Sequence, residues 1–173
     1  MPHPFPIAVG VVKIGILSDT HDNLSAVRKA CDLFAAEGIS LLLHCGDVCG
    51  PAVVRALEGF TVYFAQGNRE RIPALKEAVD ALQGGRLALL HTLMLNGRSI
   101  ALIHGDDGRA LRALITSGTY TYVFHGHTHR HRDERRGPTR VINPGALGGI
   151  RWEPPSVCIL DLDTDEANFY IIP

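Results

Sequence analysis

The chain has 173 residues, of which 46% are hydrophobic and 20% charged, a composition typical of a globular protein with one core. Seventeen basic residues face eighteen acidic ones, which gives no reason to expect nucleic acid as an obligatory partner. No apolar run approaches the length of a membrane span, and the four cysteines are too scattered for a disulfide framework, so we expect a cytoplasmic protein with no membrane partner.

The sequence shows no internal division. No linker, repeat or low-complexity segment interrupts it, so we expect a single domain over residues 1–173. Three prolines within Met1–Pro6 favour a loose N-terminal tail over residues 1–10. The apolar stretch that follows contains Lys13 and lacks a basic leader, so we interpret it as the first strand and not as a signal peptide.

Short apolar runs alternate with helical patterns along the rest of the chain. Leu24, Val27, Cys31 and Phe34 recur at helical spacing, and Gly38 follows as a stop signal. In chain order, the patterns predict a strand at Val11–Leu17, a helix at Leu24–Glu37, a strand at Leu41–Leu43, a helix at Pro51–Leu57, a strand at Val62–Phe64, a helix at Pro73–Leu82, strands at Leu87–Leu90, Met94–Leu95 and Ser99–Ile103, a helix at Arg109–Ile115, and strands at Tyr122–Phe124, Arg132–Arg135, Thr139–Ile142, Val157–Leu162 and Asn168–Ile172. This order predicts an α/β fold of two sheets packed face to face, with helices outside.

Nearly every cluster of polar residues that could bind a metal comes immediately after an apolar strand. The clusters are Ser18–Asn23, His44–Asp47, Gln66–Asn68, His104–Asp106, His125–His129 and Asn143–Gly145. In open α/β sheets, sites form where parallel strands end at their carboxyl edge, so six such loops at one edge would bring these residues together. The glycines within these clusters permit the tight turns that aim side chains inward from short loops.

The residue types in these clusters indicate a metal site. Imidazoles combined with carboxylates suit first-row ions such as manganese, iron, nickel or zinc, and not calcium. Taken singly, an Asp-x-His or a Gly-Asp is ordinary cap and turn chemistry, and a lone His104 is more often a hydrogen-bonded core residue. Gly-His-Thr-His at 126–129 is more specific, because alternate side chains of an extended segment project to the same side. Five such signals in order, each at a strand end, favour the metal interpretation.

The same residues resemble the motifs of the calcineurin-like metallophosphoesterase superfamily. That pattern is Asp-x-His, Gly-Asp, Gly-Asn, His and Gly-His-x-His, in this order. The match spans Asp19 to His129, the Asn143–Gly145 segment also looks like the family, and the short length resembles its small prokaryotic phosphodiesterase branch. The resemblance implies a four-layer αββα sandwich with two mixed sheets. It also implies a hydrolase of small phosphate esters, with a phosphodiester favoured, that acts by attack of a metal-bridging hydroxide.

The resemblance further implies which residues bind metal. The ligands of the first ion would be Asp19, His21, Asp47 and His129. The ligands of the second ion would be Asp47, Asn68, His104 and His127, so that Asp47 bridges the two. Within this set, Asp47, Asn68 and His104 are the expected catalytic residues. The expected cofactors are two divalent transition-metal ions, with manganese favoured over nickel, iron or zinc.

Two departures from the family pattern bear on the substrate. Many family phosphatases carry a histidine after the Gly-Asn, where it helps protonate the leaving group, whereas this chain has Arg69 followed by Glu70. We count Arg69 as a candidate catalytic residue, because its positive charge suits a phosphate, although Glu70 offsets it. The protein phosphatases carry Asp-Arg-Gly after their Gly-Asp, and this chain has Val48-Cys49-Gly50 there, which disfavours the serine/threonine phosphatase branch.

Four other residues lie near the motifs. His44 either orients a ligand from behind or is a satisfied core histidine, and His125 is expected to face away from the metals. The charged run 130–136 is predicted to be a solvated hairpin, in which Arg130 is the one member placed to touch substrate phosphate. Trp152 is interpreted as a core residue in preference to a base-stacking platform.

Cysteines and aspartates beside the motifs also have ordinary interpretations. Cys45 and Cys49 bracket Asp47, and buried free thiols are favoured over thiol ligation for both. Asp106 and Asp107 are expected to cap the helix that follows them and not to bind metal.

Two alternative functions share these residues. A phosphomonoesterase or nucleotide phosphatase would use the same metal site and differ only in substrate. A protein-binding scaffold of the same fold would have lost the reaction; such loss usually removes ligands, and here all seven positions are filled.

The missing leaving-group histidine generates a first prediction. Without a proton donor at position 69, we expect aryl or activated diesters to be preferred over esters with poor leaving groups. Arg69→His should therefore raise turnover on alkyl esters more than on nitrophenyl esters, measured as kcat on matched diesters. An equal response of both substrates would contradict this account of Arg69.

Overall fold

The computed structural model describes residues 7–8, 12–70, 72–148 and 152–173. Its helices are α1 (Leu24–Ala36), α2 (Pro51–Ala56), α3 (Ile72–Ala81) and α4 (Gly108–Thr116). Its strands are β1 (Ile7–Ala8), β2 (Lys13–Leu17), β3 (Leu41–His44), β4 (Thr61–Ala65), β5 (Gly85–Ala88), β6 (Leu90–Leu95), β7 (Arg98–Ile103), β8 (Tyr122–Phe124), β9 (His131–Arg136), β10 (Thr139–Pro144), β11 (Ser156–Asp161) and β12 (Glu166–Ile171). Each helix and strand expected from the sequence is found within two residues of its expected bounds, except that the strand expected at Met94–Leu95 begins four residues earlier, at Leu90.

The strands form two six-stranded mixed sheets. The first has the order β12-β11-β2-β3-β4-β5, in which β2 to β5 run parallel and β11 is antiparallel to both neighbours. The second has the order β1-β6-β7-β8-β10-β9, in which β7, β8 and β10 run parallel. Parallel strands of each sheet therefore end at a common carboxyl edge, which is the arrangement that the positions of the polar clusters predicted.

Strand periodicity explains the layering. Along β2, Ile14 and Ile16 lie in the core between the two sheets, whereas Leu17 packs in the core between the first sheet and helices α1 to α3. In β8, Val123 faces the opposite side from its neighbours and packs against residues of α4. Side chains alternate between the faces of a strand, so each buried strand supplies two cores. The layers are helices, sheet, sheet and helix, which confirms the predicted αββα sandwich.

Close packing of α1 on the first sheet depends on Gly15. A Cβ atom at this position would lie 2.6 Å from Leu42 Cδ2 and 2.8 Å from Phe34 Cε1. The absence of a side chain in the middle of β2 lets Phe34, which is fully buried, lie directly on the strand. This contact holds α1 in place, and α1 begins immediately after the Asp19–Asn23 loop of the candidate site.

Two expectations from the sequence are corrected. The loose tail was predicted over residues 1–10, yet Ile7 and Ala8 pair in parallel with Met94 and Leu95, because the free edge of β6 offers backbone partners. Met1–Pro6 lies outside the described residues. Trp152 was predicted to lie in the core, but 66% of it is exposed, and the Arg130 guanidinium carbon lies 4.9 Å from the centre of its ring.

Among the described helices, none combines the length and the apolar character that crossing a membrane requires.

Candidate metal centre

The site forms where the carboxyl edges of the two sheets meet. Loops after β2, β3 and β4 carry Asp19, Asp47 and Asn68, and loops after β7 and β8 carry His104 and His127. Backbone bonds tie these loops together: the Asp19 N–H donates to the Gly46 oxygen at 2.9 Å, and the Gly126 N–H donates to the His104 oxygen at 2.9 Å. The Asn143 side chain of β10 donates to the Gly126 oxygen at 2.9 Å and to Thr128 Oγ1 at 3.0 Å, which braces the last loop.

The backbone at this edge is held in an uncommon conformation. Five of the seven predicted ligand residues have positive φ: Asp19 (51°), His21 (43°), Asp47 (56°), His127 (66°) and His129 (56°). A left-handed backbone at a residue other than glycine costs on the order of 1–3 kcal/mol and persists only where the surroundings impose it. These left-handed residues cluster at the ends of neighbouring strands. Because they lower folding stability, we infer that the loop conformations serve the site.

Glycines let these loops approach one another without clashes. A Cβ atom at Gly126 would collide with Ser18 Oγ and the Asp19 carboxylate, and one at Gly67 would collide with the backbone and carboxylate of Asp47. At Gly46, where φ is 96°, a Cβ atom would lie 2.6 Å from His104 Nδ1. These three positions must therefore lack a side chain if the site is to form.

The first group of side chains consists of Asp19, His21 and His129. His129 Nε2 lies 3.2 Å from Asp19 Oδ1 and 3.2 Å from His21 Nε2, and His21 Nε2 lies 3.9 Å from both Asp19 Oδ1 and Asp47 Oδ2. The other oxygen of the Asp19 carboxylate accepts from Ser18 Oγ at 2.5 Å and from the His127 N–H at 3.0 Å. Oδ1 is buried without a hydrogen bond of good geometry, so it is left facing the two imidazoles.

The second group contains Asp47, Asn68 and His104. His104 Nε2 lies 3.2 Å from Asn68 Oδ1 and 3.5 Å from Asp47 Oδ1. Asp19, Asp47 and His104 each offer a ligand atom within 4.8 Å of the others. Asp19 and Asp47 therefore both lie between the first group and the second. The ring of His127 lies edge-on to that of His104, with centroids 5.1 Å apart. The structure thus brings together all seven residues expected from the sequence, with His127 at the margin.

The second group is a set of acceptors that face one another. His104 Nδ1 lies 2.8 Å from the Cys45 carbonyl oxygen, which can only accept, so Nδ1 carries the proton. In the neutral ring, Nε2 then presents a lone pair toward two oxygens that are also acceptors. Such an arrangement is repulsive without a positive charge among the three atoms. The donor set, imidazole with carboxylate and amide oxygens, fits a divalent first-row ion.

Electrostatics keep the first group in the form that binds metal. Burial opposes ionisation of Asp19, but the neighbouring His129 and Ser18 outweigh it and hold the pKa of the carboxyl below its usual value. Burial lowers the pKa of His21, and the attraction of Asp19 and Asp47 does not fully restore it. At neutral pH, Asp19 is therefore ionised and His21 is neutral, the states in which both are metal ligands.

Two cysteines flank Asp47 in different environments. Cys45 is fully buried in the core between the sheets, as expected for a structural thiol. Cys49 is only partly buried, which corrects the expectation for that residue, and its Sγ lies 3.6 Å from His21 Nδ1. Burial raises the pKa of Cys49 to about 11, so it is a thiol and not a thiolate near neutral pH. It fits a role in orienting the His21 ring better than a role as ligand.

Glu70 is a part of the site that the sequence did not reveal. Its Oε1 accepts from the N–H groups of Val48 (3.2 Å) and Gly67 (3.0 Å), and its Oε2 accepts from that of Cys49 at 2.9 Å. The carboxylate therefore joins the loops after β3 and β4, which carry Asp47 and Asn68. From the sequence, Glu70 was interpreted only as a negative charge that offsets Arg69. No local sequence pattern links it to the turn at Val48 and Cys49, about twenty residues earlier.

Arg69 contributes backbone and charge. Its N–H donates to Asp47 Oδ1 at 2.9 Å, so the residue after Asn68 orients the central carboxylate. Its side chain is exposed, and its positive charge contributes to lowering the pKa of His21. The guanidinium thus lies at the open side of the site.

Two buried histidines support the loops without entering the site. His44 Nδ1 accepts from the Gly46 N–H at 3.2 Å, and His44 Nε2 lies 3.2 Å from Thr20 Oγ1. His125 Nδ1 donates to the Gly126 oxygen at 3.0 Å, while its Nε2 lies 3.2 Å from a guanidinium nitrogen of Arg132, on the side away from the metal groups. Asp107, as expected, caps α4 by accepting from the N–H groups of Arg109 and Ala110.

Comparison with known proteins agrees with this geometry. The Calcineurin-like phosphoesterase superfamily domain matches residues 12–165. The chain belongs to this superfamily. Phosphodiesterase MJ0936 of Methanocaldococcus jannaschii is 31% identical to it over 165 residues, which cover 93% of this chain and 99% of the relative.

Solved structures of the superfamily share the same architecture. A structure described as that of a novel archaeal phosphodiesterase superposes with a TM-score of 0.86 at 31% identity, covering 92% of this chain and 99% of that one. Vacuolar Protein Sorting 29 from Cryptosporidium parvum gives a TM-score of 0.65 at 20% identity, covering 92% and 96%, and shows the shared fold alone.

The three hydrogen bonds accepted by Glu70 generate a prediction. Glu70→Ala should lower metal affinity by about 10- to 100-fold, because the turn that carries Asp47 loses its brace. Metal affinity would be measured by calorimetric titration, with Glu77→Ala, an exposed glutamate of α3, as the control. Equal metal affinity of the Glu70 variant and the wild type would contradict a positioning role.

The buried histidines predict how stability depends on pH. Burial lowers the pKa of His44 to about 3 and that of His125 to about 4, so between these values and about 6.5 the unfolded chain binds more protons than the folded one. Stability should therefore fall as pH decreases below 6.5, by on the order of 2 kcal/mol at pH 5 for each residue.

Urea unfolding of the metal-free protein at pH 7 and pH 5 measures this loss of stability. The double variant His44→Gln/His125→Gln should lose much less stability between the two pH values than the wild type. If the double variant loses as much, these two histidines do not cause the acid sensitivity.

Proposed function

We propose that this protein is a metal-dependent phosphodiesterase whose ions are bound by the seven side chains at the carboxyl edges of the two sheets. The first ion would take Asp19, His21, Asp47 and His129. The second would take Asp47, Asn68, His104 and His127. The observation that carries the proposal is the lone pair on His104 Nε2, which faces two acceptor oxygens, Asn68 Oδ1 at 3.2 Å and Asp47 Oδ1 at 3.5 Å.

Divalent ions bound here would polarise a phosphoryl oxygen and lower the pKa of bound water toward about 7. The chain supplies the arrangement. Asp47 is central, and its carboxylate is held by the Arg69 N–H and by the turn that Glu70 braces. Asn68 would contribute a neutral amide oxygen as a ligand. The metal ions would therefore keep more of their positive charge for an anionic substrate than a third carboxylate would leave. The exposed side chains of Asn68, Arg69 and His127 line the open side, where a phosphate would enter.

A diester is favoured over a monoester by two considerations. Position 69 holds an arginine, so no imidazole follows Asn68 to protonate a poor leaving group. The relative MJ0936, which is aligned with 93% of this chain, is named a phosphodiesterase. A phosphomonoesterase would need a group that meets the second negative charge of a monoester, and Arg69 is the residue that would provide it.

Manganese is the ion we propose for both positions. The donor set is rich in oxygen, with two carboxylates and an amide beside four imidazoles, and none of the seven proposed ligands is a thiol. Carboxylate and amide oxygens suit manganese, whereas a thiolate-containing set would favour zinc.

A scaffold function is supported by fold similarity alone. The large exposed apolar side chains among the described residues are Val12, Leu89, Leu90, Trp152 and Ile171. Five such side chains on four segments of the chain are normal for the surface of a monomeric protein and do not by themselves indicate an interface.

The proposal is tested by removing and restoring metal. The protein, stripped with a chelator, should be inactive on methyl p-nitrophenyl phosphate and should regain activity with manganese. Asp47→Asn should lower kcat by at least about 100-fold, because one carboxylate contributes to both ions. The same assay on p-nitrophenyl phosphate should give a lower kcat/KM.

Asp80→Asn is a matched control for this test, because it makes the same change at an exposed carboxylate of α3. Activity that survives both chelation and Asp47→Asn would refute the metal mechanism. Metal binding without hydrolysis of either ester would favour the scaffold function instead.

A further inference from the structure

Trp152 is exposed, and the residue that lies over its ring directly follows a proposed metal ligand in the sequence. It is the only tryptophan of the chain, and 66% of its surface is in solvent. The Arg130 guanidinium carbon lies 4.9 Å from the centre of its ring, a cation–π contact. An indole that is largely in water contributes little to the core, so its position calls for another explanation.

The neighbours of Arg130 place this ring next to the candidate ligands. Three consecutive residues have three different contacts: His129 lies 3.2 Å from Asp19 Oδ1, Arg130 lies over Trp152, and the His131 N–H donates to Glu153 Oε2 at 2.6 Å. Consecutive Cα atoms are about 3.8 Å apart, so the residue that covers the indole directly follows a proposed metal ligand.

Hydrogen bonds hold Gly148, four residues before Trp152, and Glu153, the residue after it. Before it, the Gly148 N–H donates to the Asp19 oxygen at 2.9 Å. After it, Glu153 lies 3.5 Å from His131 Nδ1, and His131 Nε2 lies 2.6 Å from Ser156 Oγ. Ser156 is fully buried and donates to the Pro144 oxygen, so this Glu-His-Ser arrangement is an anchor and not a nucleophile. This anchor fixes Glu153, the residue that follows Trp152, against His131, which lies two residues after the proposed ligand His129.

We propose that Trp152, braced by Arg130, is a stacking platform for a planar aromatic group of the substrate, and that the substrate is a phosphodiester carrying a nucleobase. This inference rests on the proposed phosphodiesterase function. The phosphate would lie at the metal groups and the base on the indole, whose large exposed area leaves room for a second ring. Arg130 adds a positive charge near the sugar–phosphate part, which suits an anionic nucleotide and not a neutral partner.

The single tryptophan makes the platform directly measurable, because all tryptophan emission comes from Trp152. Zinc-loaded full-length protein would be titrated with adenosine 5′-monophosphate and with ribose 5-phosphate, which differ only in the base. The absence of phosphate release in the same samples would show that both ligands stay intact. We expect the adenine nucleotide to quench the emission saturably and to bind about tenfold more tightly than the sugar phosphate.

Variants separate stacking from a structural role. Trp152→Ala, followed by calorimetry, should lower the affinity for adenosine 5′-monophosphate to that for ribose 5-phosphate and leave the latter unchanged. Trp152→Phe should retain most of the difference. Leu89→Ala, which removes another exposed apolar side chain, is the control and should change neither affinity.

Two outcomes would overturn the platform. One is equal binding of the two ligands by the wild type, and the other is an equal loss of both affinities in Trp152→Ala. Failure of the proposed function would be recognised separately, as the absence of metal-dependent diester hydrolysis by the wild-type protein. A wild type that hydrolyses methyl p-nitrophenyl phosphate but does not discriminate the base would keep the function and refute the platform.

Discussion

The contact between His104 Nδ1 and the Cys45 carbonyl oxygen joins the two sheets at the point where the site forms. His104 follows β7 of one sheet, and Cys45 follows β3 of the other. The 2.8 Å hydrogen bond fixes the orientation of the ring and places the proton on Nδ1, so Nε2 is aimed at Asn68 and Asp47. One hydrogen bond thus links the two sheets and determines which ring nitrogen of His104, a proposed metal ligand, carries the proton. Gly46, which leaves room for the ring, is part of the same constraint.

The geometry of the site lowers the free energy of unfolding, and packing in the hydrophobic cores offsets this loss. Left-handed backbones at five ligand residues and acceptors that oppose one another are both unfavourable in isolation. They persist because each loop is continuous with a buried strand and is tied to a neighbouring loop by backbone hydrogen bonds. A positive ion at the proposed site would relieve the repulsion between these acceptors, so its binding would also raise folding stability.

The sequence predicted the fold, and it pointed to seven residues that the structure brings together, because both leave local signals. Buried strands such as β3 appear in the sequence as apolar runs, and each proposed ligand motif follows one of them. The end of a strand therefore indicates where to look for a motif, and a motif supports the assignment of the strand before it. Glu70 was missed because its partners, the N–H groups of Val48 and Cys49, are backbone atoms that any sequence provides. Trp152 was misplaced because an indole is usually buried, and no local pattern shows that its segment passes over the surface.

The outer strand of the second sheet has a consequence for association between molecules. β9 is the edge strand beside β10, and its sequence, His131–Arg136, is almost entirely charged. Arg132 and Arg136 pair with Glu134 on the strand itself, while Arg135 pairs with Asp165. A further strand that paired along β9 would have to accommodate these ion pairs or displace them. The unpaired backbone of this edge is therefore a poor template for sheet extension, which protects the concentrated protein from edge-to-edge aggregation.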